Sequence, residues 1–508
     1  MLQINNIVLV LCPELLVFIA LVIAIFLSTT KYQNLVWLIS VFLLVVSSVY
    51  IIKFQLFLES PLQILGGMLV ADKLSVLFKL IVLFVSIFII LGSVKYTEGF
   101  QHRSEFFIIL LASVLGIMFL VGANDLITLF IALETLSLSA IMLAGYSKYD
   151  TRSNEASLKY LLSSAAASSI FLFGLSLLYG LTSSTQFYEI KYKLLELYNS
   201  GNLDNGIIIV ILTLIIGGLA FKLAGVPLHM WSPDVYEGAP TPVTAFLSIA
   251  SKAAGVAISI RILVYLFDFA IPVWQLIIIV ISVLSMVVGN LTALGEVLNK
   301  TSIKRLMAYS SIAQVGYILI GIALGTNETV GAGIFYLLVY SIMNLGAFLC
   351  IIAFGNEANS DSIKDYSGLI KKKPLLVIAF CICLFNLGGL PVPPAGFIAK
   401  FLLFKASFEA GFVGIILGII GLLTTIISIY YYSYIAKIMI VDPPSDAVLN
   451  IETNKEALGK SNVLNFAILS AVCGIFLAVL LSNALLKLSI NTTGNISNGN
   501  QVISYMHH

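Results

Sequence analysis

The chain contains little charge. Of its 508 residues, 10% are Asp, Glu, Lys or Arg and 60% are hydrophobic, and the mean hydropathy is +1.06. Soluble domains have about 25% charged residues, so this composition cannot form a water-facing surface for a chain of this length. Most of the surface must therefore face a lipid bilayer. The net charge of +2 is too small to indicate nucleic acid, and we expect no nucleic-acid partner.

Cofactor and metal motifs are also missing. The five cysteines show no C-x-x-C spacing, which argues against a disulfide framework, a zinc site or an iron–sulfur ligand set. No G-x-G-x-x-G follows a strand, no G-x-x-x-x-G-K-[ST] occurs, and no histidines have metal-ligand spacing. We therefore expect no cofactor, metal or redox centre in this chain. The energy for any ion movement must come from a gradient or from partner subunits.

Apolar runs of about 20 residues, the length that crosses a bilayer as a helix, recur along the whole chain. They predict an all-α, polytopic membrane protein with about fourteen transmembrane helices. The first run lacks the features of a cleaved signal peptide and is interpreted as a retained helix. The polar stretches 183–205, 355–373 and 442–462 are interpreted as connecting loops. The predicted helices are 6–28, 35–57, 74–95, 104–122, 124–146, 156–182, 206–226, 242–266, 271–295, 303–325, 330–354, 374–406, 412–440 and 463–486.

Lysine and arginine residues concentrate in alternate loops, which predicts the orientation in the membrane. The basic loops lie on the negative-potential side, and both termini lie on the positive-potential side. We favour a bacterial inner membrane; the inner membrane of an organelle and a thylakoid membrane are alternatives.

One apolar run is interrupted inside the membrane. Lys222 lies well within the run that starts near Gly206, and Gly225 and Pro227 follow within five residues. Proline removes an amide donor and collides with the preceding helical turn, so we expect helix 7 to be discontinuous. Irregular backbone at membrane depth is tolerated only where it is buried in protein or lines a wet cavity. A lysine beside such a break indicates an ion path.

A second break is predicted in helix 12, at Pro391, Pro393 and Pro394, and Lys400 follows it. The lysine precedes the break in helix 7 and follows it in helix 12. This reversal is expected of inverted-topology repeats, because the two broken helices cross in opposite directions. We therefore predict four regions: helices 1–3 (1–100), a first repeat of helices 4–8 (104–266), a second, inverted repeat of helices 9–13 (271–440), and helix 14 with the tail (441–508).

Four ionisable residues are predicted at membrane depth: Glu134, Lys222, Lys252 and Lys400. Each costs about 2.5–3.5 kcal/mol at the bilayer centre, or on the order of 10 kcal/mol together. Opposite charges or water in a cavity must reduce this cost. Burial favours the neutral form of a lysine and a nearby carboxylate favours the charged form. Our hypothesis is that movement of Glu134 relative to Lys222 switches that lysine between holding and releasing a proton.

Two further residues have two interpretations each. Lys159 lies four residues after Glu155 and either extends to the membrane interface or takes part in a proton relay. His229 lies just past the first break and is either a proton carrier or a hydrogen-bonded structural histidine. Asp234 and Glu237 lie among prolines, and we favour structural or helix-capping roles for them.

The segment FKLAGVPLHMWSPDVYEGAPTPVTAF at 221–246 resembles the antiporter-like subunits of respiratory complex I. Three more segments resemble one of them in particular, the N subunit (called subunit 2 in mitochondria and B in chloroplasts): LETLS at 133–137, EASLKYL at 155–161 and SIKRLMAYSSI at 302–312. The resemblance covers about residues 70–440. At the second break, GLPVPPAGF at 389–397 is one residue longer than the usual family motif, although the spacing from Gly396 to Lys400 is kept.

The resemblance implies a fourteen-helix subunit of NADH:quinone oxidoreductase, in which quinone reduction elsewhere in the complex drives proton pumping. By that similarity Glu134 and Lys222 are the central pair, Lys252 is a connecting residue and Lys400 is the exit-side lysine. NADH, FMN, iron–sulfur clusters and quinone are expected in partner subunits. The expected membrane partners are the antiporter-like M and L subunits and the small K- and J-type subunits.

Two alternatives remain at this point. The first is a sodium/proton antiporter subunit of the multi-subunit type, which shares the broken helices and the buried lysines. The second is a membrane spacer that only holds other subunits together. A spacer gives no reason for lysines beside broken helices.

Overall fold

The structure, a computed structural model, describes residues 2–58, 60–201, 204–451, 458–459 and 461–497. Within these residues, thirteen helical stretches are long and apolar enough to cross a membrane. A further crossing consists of two shorter helices, Pro374–Gly388 and Ala395–Glu409. The all-α class and the prediction of about fourteen transmembrane helices are therefore confirmed.

The helices follow one another with short connections. The first ten are α1 (Leu2–Ser28), α2 (Val36–Tyr50), α3 (Lys73–Tyr96), α4 (Arg103–Gly122), α5 (Leu126–Ala144), α6 (Thr151–Thr182), α7 (Phe187–Asn199), α8 (Asn205–Leu223), α9 (Trp231–Gly238) and α10 (Thr241–Phe246). The other ten are α11 (Lys252–Ser259), α12 (Ile271–Leu298), α13 (Ile303–Leu324), α14 (Asn327–Ala358), α15 (Pro374–Gly388), α16 (Ala395–Glu409), α17 (Phe412–Ile440), α18 (Asp446–Leu449), α19 (Asn462–Leu480) and α20 (Ser482–Ser497). Three π-helical turns, Ile51–Gln55, Leu247–Ser251 and Ile260–Leu266, extend or join these helices.

The core of the protein lies around α10, α11, α13 and α14. The stretch Thr241–Leu266 is buried within the chain except for the partly buried Val264 and Tyr265, and α13 and α14 are mostly buried. By contrast α1, α2, α6, α12, α17 and α19 leave about two thirds of their residues accessible. The accessible residues on these outer helices are large and apolar, such as Phe26, Phe42 and Phe466. The outer helices thus present a lipid-compatible surface, and the inner helices are shielded from lipid.

Helix 7 is discontinuous. α8 ends at Leu223 and α9 begins at Trp231, and the chain between them, which includes Gly225 and Pro227, is not helical. The backbone N–H of Val226 donates to Ser285 Oγ of α12 at 2.9 Å. The break is therefore anchored to α12 on one side, while Leu228 and Met230 are exposed on this chain.

Helix 12 is discontinuous as well, between Gly388 and Ala395. The side chain of Asn386, on α15, accepts a hydrogen bond at 3.1 Å from the backbone N–H of Gly396 at the start of α16. Asn386 thereby satisfies one of the amides that a helix start leaves unpaired. A Cβ on Gly396 would lie 1.9 Å from the carbonyl oxygen of Asn386, so the two half-helices meet this closely only because position 396 is glycine.

The structure differs from the prediction in one connecting loop and in the last predicted helix. The stretch 183–205 contains α7, whose apolar residues Phe187, Ile190 and Leu194 are buried at helical spacing. Its polar face made the segment too hydrophilic to be predicted as a membrane helix. The predicted last helix, 463–486, is divided by the end of α19 at Leu480, and α20 follows. The tail beyond residue 497 lies outside the described residues.

A β-hairpin precedes α3 and was not predicted. Strands β1 (Leu62–Ile64) and β2 (Leu69–Ala71) pair antiparallel around a turn with left-handed backbone at Leu65, Gly66 and Gly67. Three-residue strands are too short to give an alternating pattern in the sequence. The four-region division of the chain stays a prediction.

We expect the substitution Gly396→Ala to destabilise the fold, because its Cβ has no room beside Asn386. Overpacking of this kind costs about 1–3 kcal/mol. The matched control is Gly180→Ala in α6, where no atom lies within 4 Å of the added Cβ and alanine is the better helix former. Thermal unfolding in detergent measures both. Equal midpoints for the two variants would contradict the close approach of the half-helices.

Candidate functional site

Lys222 is buried at the C-terminal end of α8, next to the first break. Its Nζ donates a hydrogen bond to Ser137 Oγ of α5 at 3.2 Å. α8 stops at Leu223, so Lys222 lies in the last turn of the helix. The C-terminal end of a helix carries partial negative charge, which stabilises a cation there.

Glu134 lies one helical turn before Ser137 on α5, which puts both residues on one face. Its carboxylate accepts a hydrogen bond of 2.5 Å from Ser168 Oγ of α6. A cleft lined by Ser137, Ser164, Ser168 and Lys222 lies between these helices. Glu134 is near enough to Lys222 to interact with it electrostatically, although the two form no ion pair in the described part of the chain. The structure thus brings the predicted pair together through serine hydroxyls.

Lys252 lies on α11, in the most buried part of the protein, with 1% of its surface exposed. Its Nζ donates to Ser311 Oγ of α13 at 2.8 Å. The π-helical turns Leu247–Ser251 and Ile260–Leu266 flank α11 on both sides. Such turns are frequent at functional sites.

Lys400 lies on α16, just after the second break. Its Nζ donates to the carbonyl oxygen of Gly388 at 3.0 Å, a carbonyl at the end of α15 that the break leaves open. A second, longer contact of 3.5 Å reaches Ser428 Oγ of α17. The ammonium group also lies 4.7 Å from the centroid of the Tyr317 ring, within the range of a cation–π interaction.

One face of α13 extends from Lys252 to Lys400. Ser311 accepts the hydrogen bond from Lys252, Gln314 Nε2 donates to the carbonyl of Leu387 at 3.2 Å, and Tyr317 provides the ring beside Lys400. Residues three apart lie on the same side of a helix. The polar side chains of α13 therefore form a row between the two lysines, which we call the α13 row (Ser311, Gln314 and Tyr317).

Further buried hydrogen bonds surround the α13 row. Tyr336 of α14 donates to Gln314 Oε1. About two helical turns further along α14, Asn344 Nδ2 donates to Ser248 Oγ at 2.9 Å and to Tyr340 Oη at 3.0 Å. Buried polar groups are costly unless they are hydrogen-bonded. The hydrogen bonds of this network therefore allow these polar side chains to lie in the core.

Lys159 and His229 are not brought together with the buried lysines. Lys159 is 44% exposed and forms ion pairs of 2.7 Å with Glu155 and 2.6 Å with Asp234. Asp234 also binds Arg305 at 2.9 Å, which ties α6, α9 and α13 together at the surface. The Nδ1 atom of His229 lies 3.2 Å from the carbonyl oxygen of Pro227, within the turn of the first break. These contacts favour the structural interpretation of both residues.

Sequence analysis missed the α13 row and three ion pairs of buried lysines. The pairs are Glu14–Lys79 at 2.5 Å, Lys373–Glu357 at 3.1 Å and Lys304–Asp361 at 2.8 Å, of which Asp361 is half-buried. The α13 row was detectable in principle, because serine, glutamine and tyrosine lie three positions apart at 311, 314 and 317 within a predicted membrane helix. The ion pairs join residues far apart in the chain, which no local pattern reveals.

The buried lysines therefore fall into two classes. Lys79 and Lys373 each bind a carboxylate, whereas none of the ion pairs in the described part of the chain includes Lys222, Lys252 or Lys400. Hydroxyl groups and carbonyl groups are the partners of these last three. Neutral partners lower the cost of burial without fixing the positive charge on the lysine as a carboxylate does. No carboxylate within the described residues therefore fixes the charge of these three amines.

No group of three or more His, Cys, Asp or Glu side chains suited to a metal ion occurs among the described residues. The expectation that the chain itself binds no cofactor stays a prediction.

Comparison with known proteins places this geometry in context. The family model described as "NADH:quinone oxidoreductase/Mrp antiporter, TM" matches residues 123–428. The chain is 44% identical over 441 residues to NAD(P)H-quinone oxidoreductase subunit 2 of Microcystis aeruginosa, covering 85% of this chain and 84% of the relative. It is 48% identical over 395 residues to the protein of the same name in Picosynechococcus sp., covering 77% and 73%.

Solved structures share the fold. A chain of respiratory complex I from Thermus thermophilus, solved with bound aureothin, superposes with a TM-score of 0.76 at 26% identity, covering 94% of this chain and 99% of that chain. A chain of the Mrp complex from Dietzia sp. superposes with a TM-score of 0.83 at 22% identity, covering 96% and 97%. At that identity the second likeness concerns the fold alone.

We expect Lys252→Met and Lys400→Met to leave the free energy of unfolding within about 1 kcal/mol of the original or to raise it, because each removes a buried cation that has no carboxylate partner. The matched control is Lys373→Met, which leaves Glu357 buried and unpaired and costs about 3–5 kcal/mol. Thermal unfolding in detergent compares the three. A large loss for Lys252→Met or Lys400→Met would mean that these lysines are retained for stability.

Proposed function

The chain belongs to the NADH:quinone oxidoreductase/Mrp antiporter family, and from this premise we propose that it is a proton-translocating membrane-arm subunit of a complex I-type NAD(P)H:quinone oxidoreductase. Quinone reduction in partner subunits drives the protons, and this chain conducts them. The observation that supports this best is the set of three buried lysines without carboxylate partners, two of them beside helix breaks and two joined by the α13 row.

In the proposed mechanism protons pass along hydroxyl, amide and amine groups. Glu134 and Lys222 form the first station, in the serine-lined cleft between α5, α6 and α8. Lys252 receives the proton deeper in the protein. Ser311 and Gln314 of the α13 row lie between it and Lys400, whose own oxygen contacts are Gly388 and Ser428. Lys400 releases the proton at the second break, where the chain is not helical between α15 and α16.

Electrostatic coupling provides the switch. A negative charge near Lys222 favours its protonated form, and loss or withdrawal of that charge favours release. Glu134 is held by a single serine hydroxyl in the described part of the chain, and no arginine or lysine pairs with it there. A small movement of α5 relative to α8 would therefore change the charge state of Lys222. This is the bistable element that transport needs.

Partner subunits follow from the same proposal. We propose that NADH, FMN, iron–sulfur clusters and quinone are bound by other subunits, and that the membrane neighbours are the antiporter-like M and L subunits and the small K- and J-type subunits. The proposed location is a bacterial membrane, with both termini on the positive-potential side. The likeness to a chain of respiratory complex I over 94% of this chain supports an assembly of this kind.

A sodium/proton antiporter subunit is the second candidate, because a chain of an Mrp complex has the same fold. The identity of 44–48% with proteins named NAD(P)H-quinone oxidoreductase subunit 2 favours the redox-driven complex. A membrane spacer is the weakest candidate, since unpaired buried lysines add cost to a structure that would only need apolar contacts.

We expect the combined substitution of Lys222, Lys252 and Lys400 by Met to lower the number of protons pumped per electron, while the complex still assembles and still oxidises its electron donor. The measurement is proton uptake during donor oxidation in sealed vesicles. The matched control is Lys405→Met on the same helix as Lys400, at a residue with 59% exposure of its side chain. An unchanged pumping ratio in the triple variant would favour the spacer.

We expect mild-detergent purification of the tagged chain to recover subunits with iron–sulfur clusters, and we expect proton pumping to be independent of sodium ions. Absorbance and iron content identify the redox subunits, and pumping is measured with and without sodium. Recovery of membrane subunits alone, together with sodium-dependent proton exchange, would favour the antiporter.

A further inference from the structure

Glu14 and Lys79 form a buried ion pair that the proposed path does not use. Glu14 lies on α1 and Lys79 on α3, and their charged atoms are 2.5 Å apart. Both residues are at least 96% buried. Both also lie outside residues 123–428, the part of the chain that the family model matches.

The helix that holds Glu14 is irregular at this point. Pro13 has no N–H, so the carbonyl of Leu9 loses its usual partner within α1. Gln55, in the π-helical turn after α2, compensates: its Nε2 donates to Leu9 O at 2.7 Å and to Val10 O at 3.2 Å. A buried charge thus lies beside a helix irregularity, the same combination that occurs at Lys222 and at Lys400.

Two buried oxygen atoms around this turn of α1 have no donor within the described part of the chain. They are Oε2 of Glu14, the oxygen that Lys79 does not contact, and Oε1 of Gln55. A buried acceptor without a partner costs about 1–3 kcal/mol. Most buried polar atoms in proteins are satisfied, and protonation would remove the negative charge whose burial makes this unpaired carboxylate oxygen costly.

Lys79 has a second source of stabilisation besides Glu14. Its Nζ lies 3.5 Å from where a Cβ on Gly122 would be, and Gly122 is the last residue of α4. The partial negative charge at a helix C-terminus favours a cation. Arg261 uses the same helix end, since it donates to the carbonyl of Val121 at 3.3 Å. The positive charge of Lys79 therefore keeps a favourable partner when Glu14 is neutral.

We propose that Glu14 and Lys79 form a proton-binding site in the N-terminal three-helix region. The proton binds at Oε2 of Glu14, an O–H bond forms, and the carboxylate becomes a carboxylic acid. Lys79 keeps its own proton and remains the cation at the end of α4. Cys12 on α1 is the titratable group that interacts with Glu14, and Tyr50 of α2 in turn interacts with Cys12. Arg261 of the Asp72–Arg261 pair binds the same end of α4.

The alternative is a static ion pair that only fastens α1 to α3. Infrared difference spectra of the intact complex, recorded across a pH series without electron transfer, distinguish the two. We expect a carboxylic acid C=O band that grows as the pH falls, is absent in Glu14→Gln, and persists to higher pH in Lys79→Met because the neighbouring cation is gone. If Glu14→Gln removes no band from the spectra, the pair is static and the proposal is wrong.

Two double variants serve as a substitute for a single variant that does not assemble and as a control. If either single variant does not assemble, Glu14→Gln combined with Lys79→Met leaves no unpaired buried charge and provides the spectrum to subtract. The matched control is Glu357→Gln combined with Lys373→Met, which removes another ion pair with both side chains 4% exposed; we expect it to keep the band. Because no pumping is measured, this experiment tests the proton-binding site independently of the proposed function.

Discussion

The cost of holding a positive charge inside a membrane protein is the constraint on which this structure depends. A lysine at the bilayer centre costs about 2.5–3.5 kcal/mol, and the three unpaired lysines lie at most 4% exposed. The chain meets that cost with the ends of broken helices, with serine hydroxyls and with one aromatic ring. Each of these partners stabilises the charged lysine less strongly than a carboxylate would, so the charged form is not fixed.

The arrangement of helices follows from the same constraint. Among the described residues, α11, α13 and α14 hold the buried polar groups, and the outer helices surround them. The outer helices present large apolar side chains. Each break contacts a neighbouring helix on one side, through Val226 at the first and Gly388 at the second, while Leu228, Met230 and Val392 are exposed on this chain. The buried lysines Lys222 and Lys400 lie next to these two breaks.

Sequence reasoning predicted the features that depend on local composition. Long apolar runs gave the helix number, and the proline-containing segments gave the two discontinuous helices. It missed α7, whose polar face hides its helical period, and the short hairpin before α3. It also missed the Glu14–Lys79 pair, because Glu14 and Lys79 are 65 positions apart and meet only when α1 packs beside α3. Contacts between distant helices are not encoded in any single window of sequence.

The ring of Tyr317 covers one side of the Lys400 ammonium group. The face of an aromatic ring attracts a cation through its quadrupole, but it has no lone pair that could accept a proton. Lys400 is therefore held from one side by a surface that cannot take its proton, and on the other side it contacts the carbonyl of Gly388 and the hydroxyl of Ser428. The ring therefore stabilises the charge without taking the proton, and in the proposed mechanism Lys400 exchanges its proton on the side of the Gly388 and Ser428 oxygen atoms.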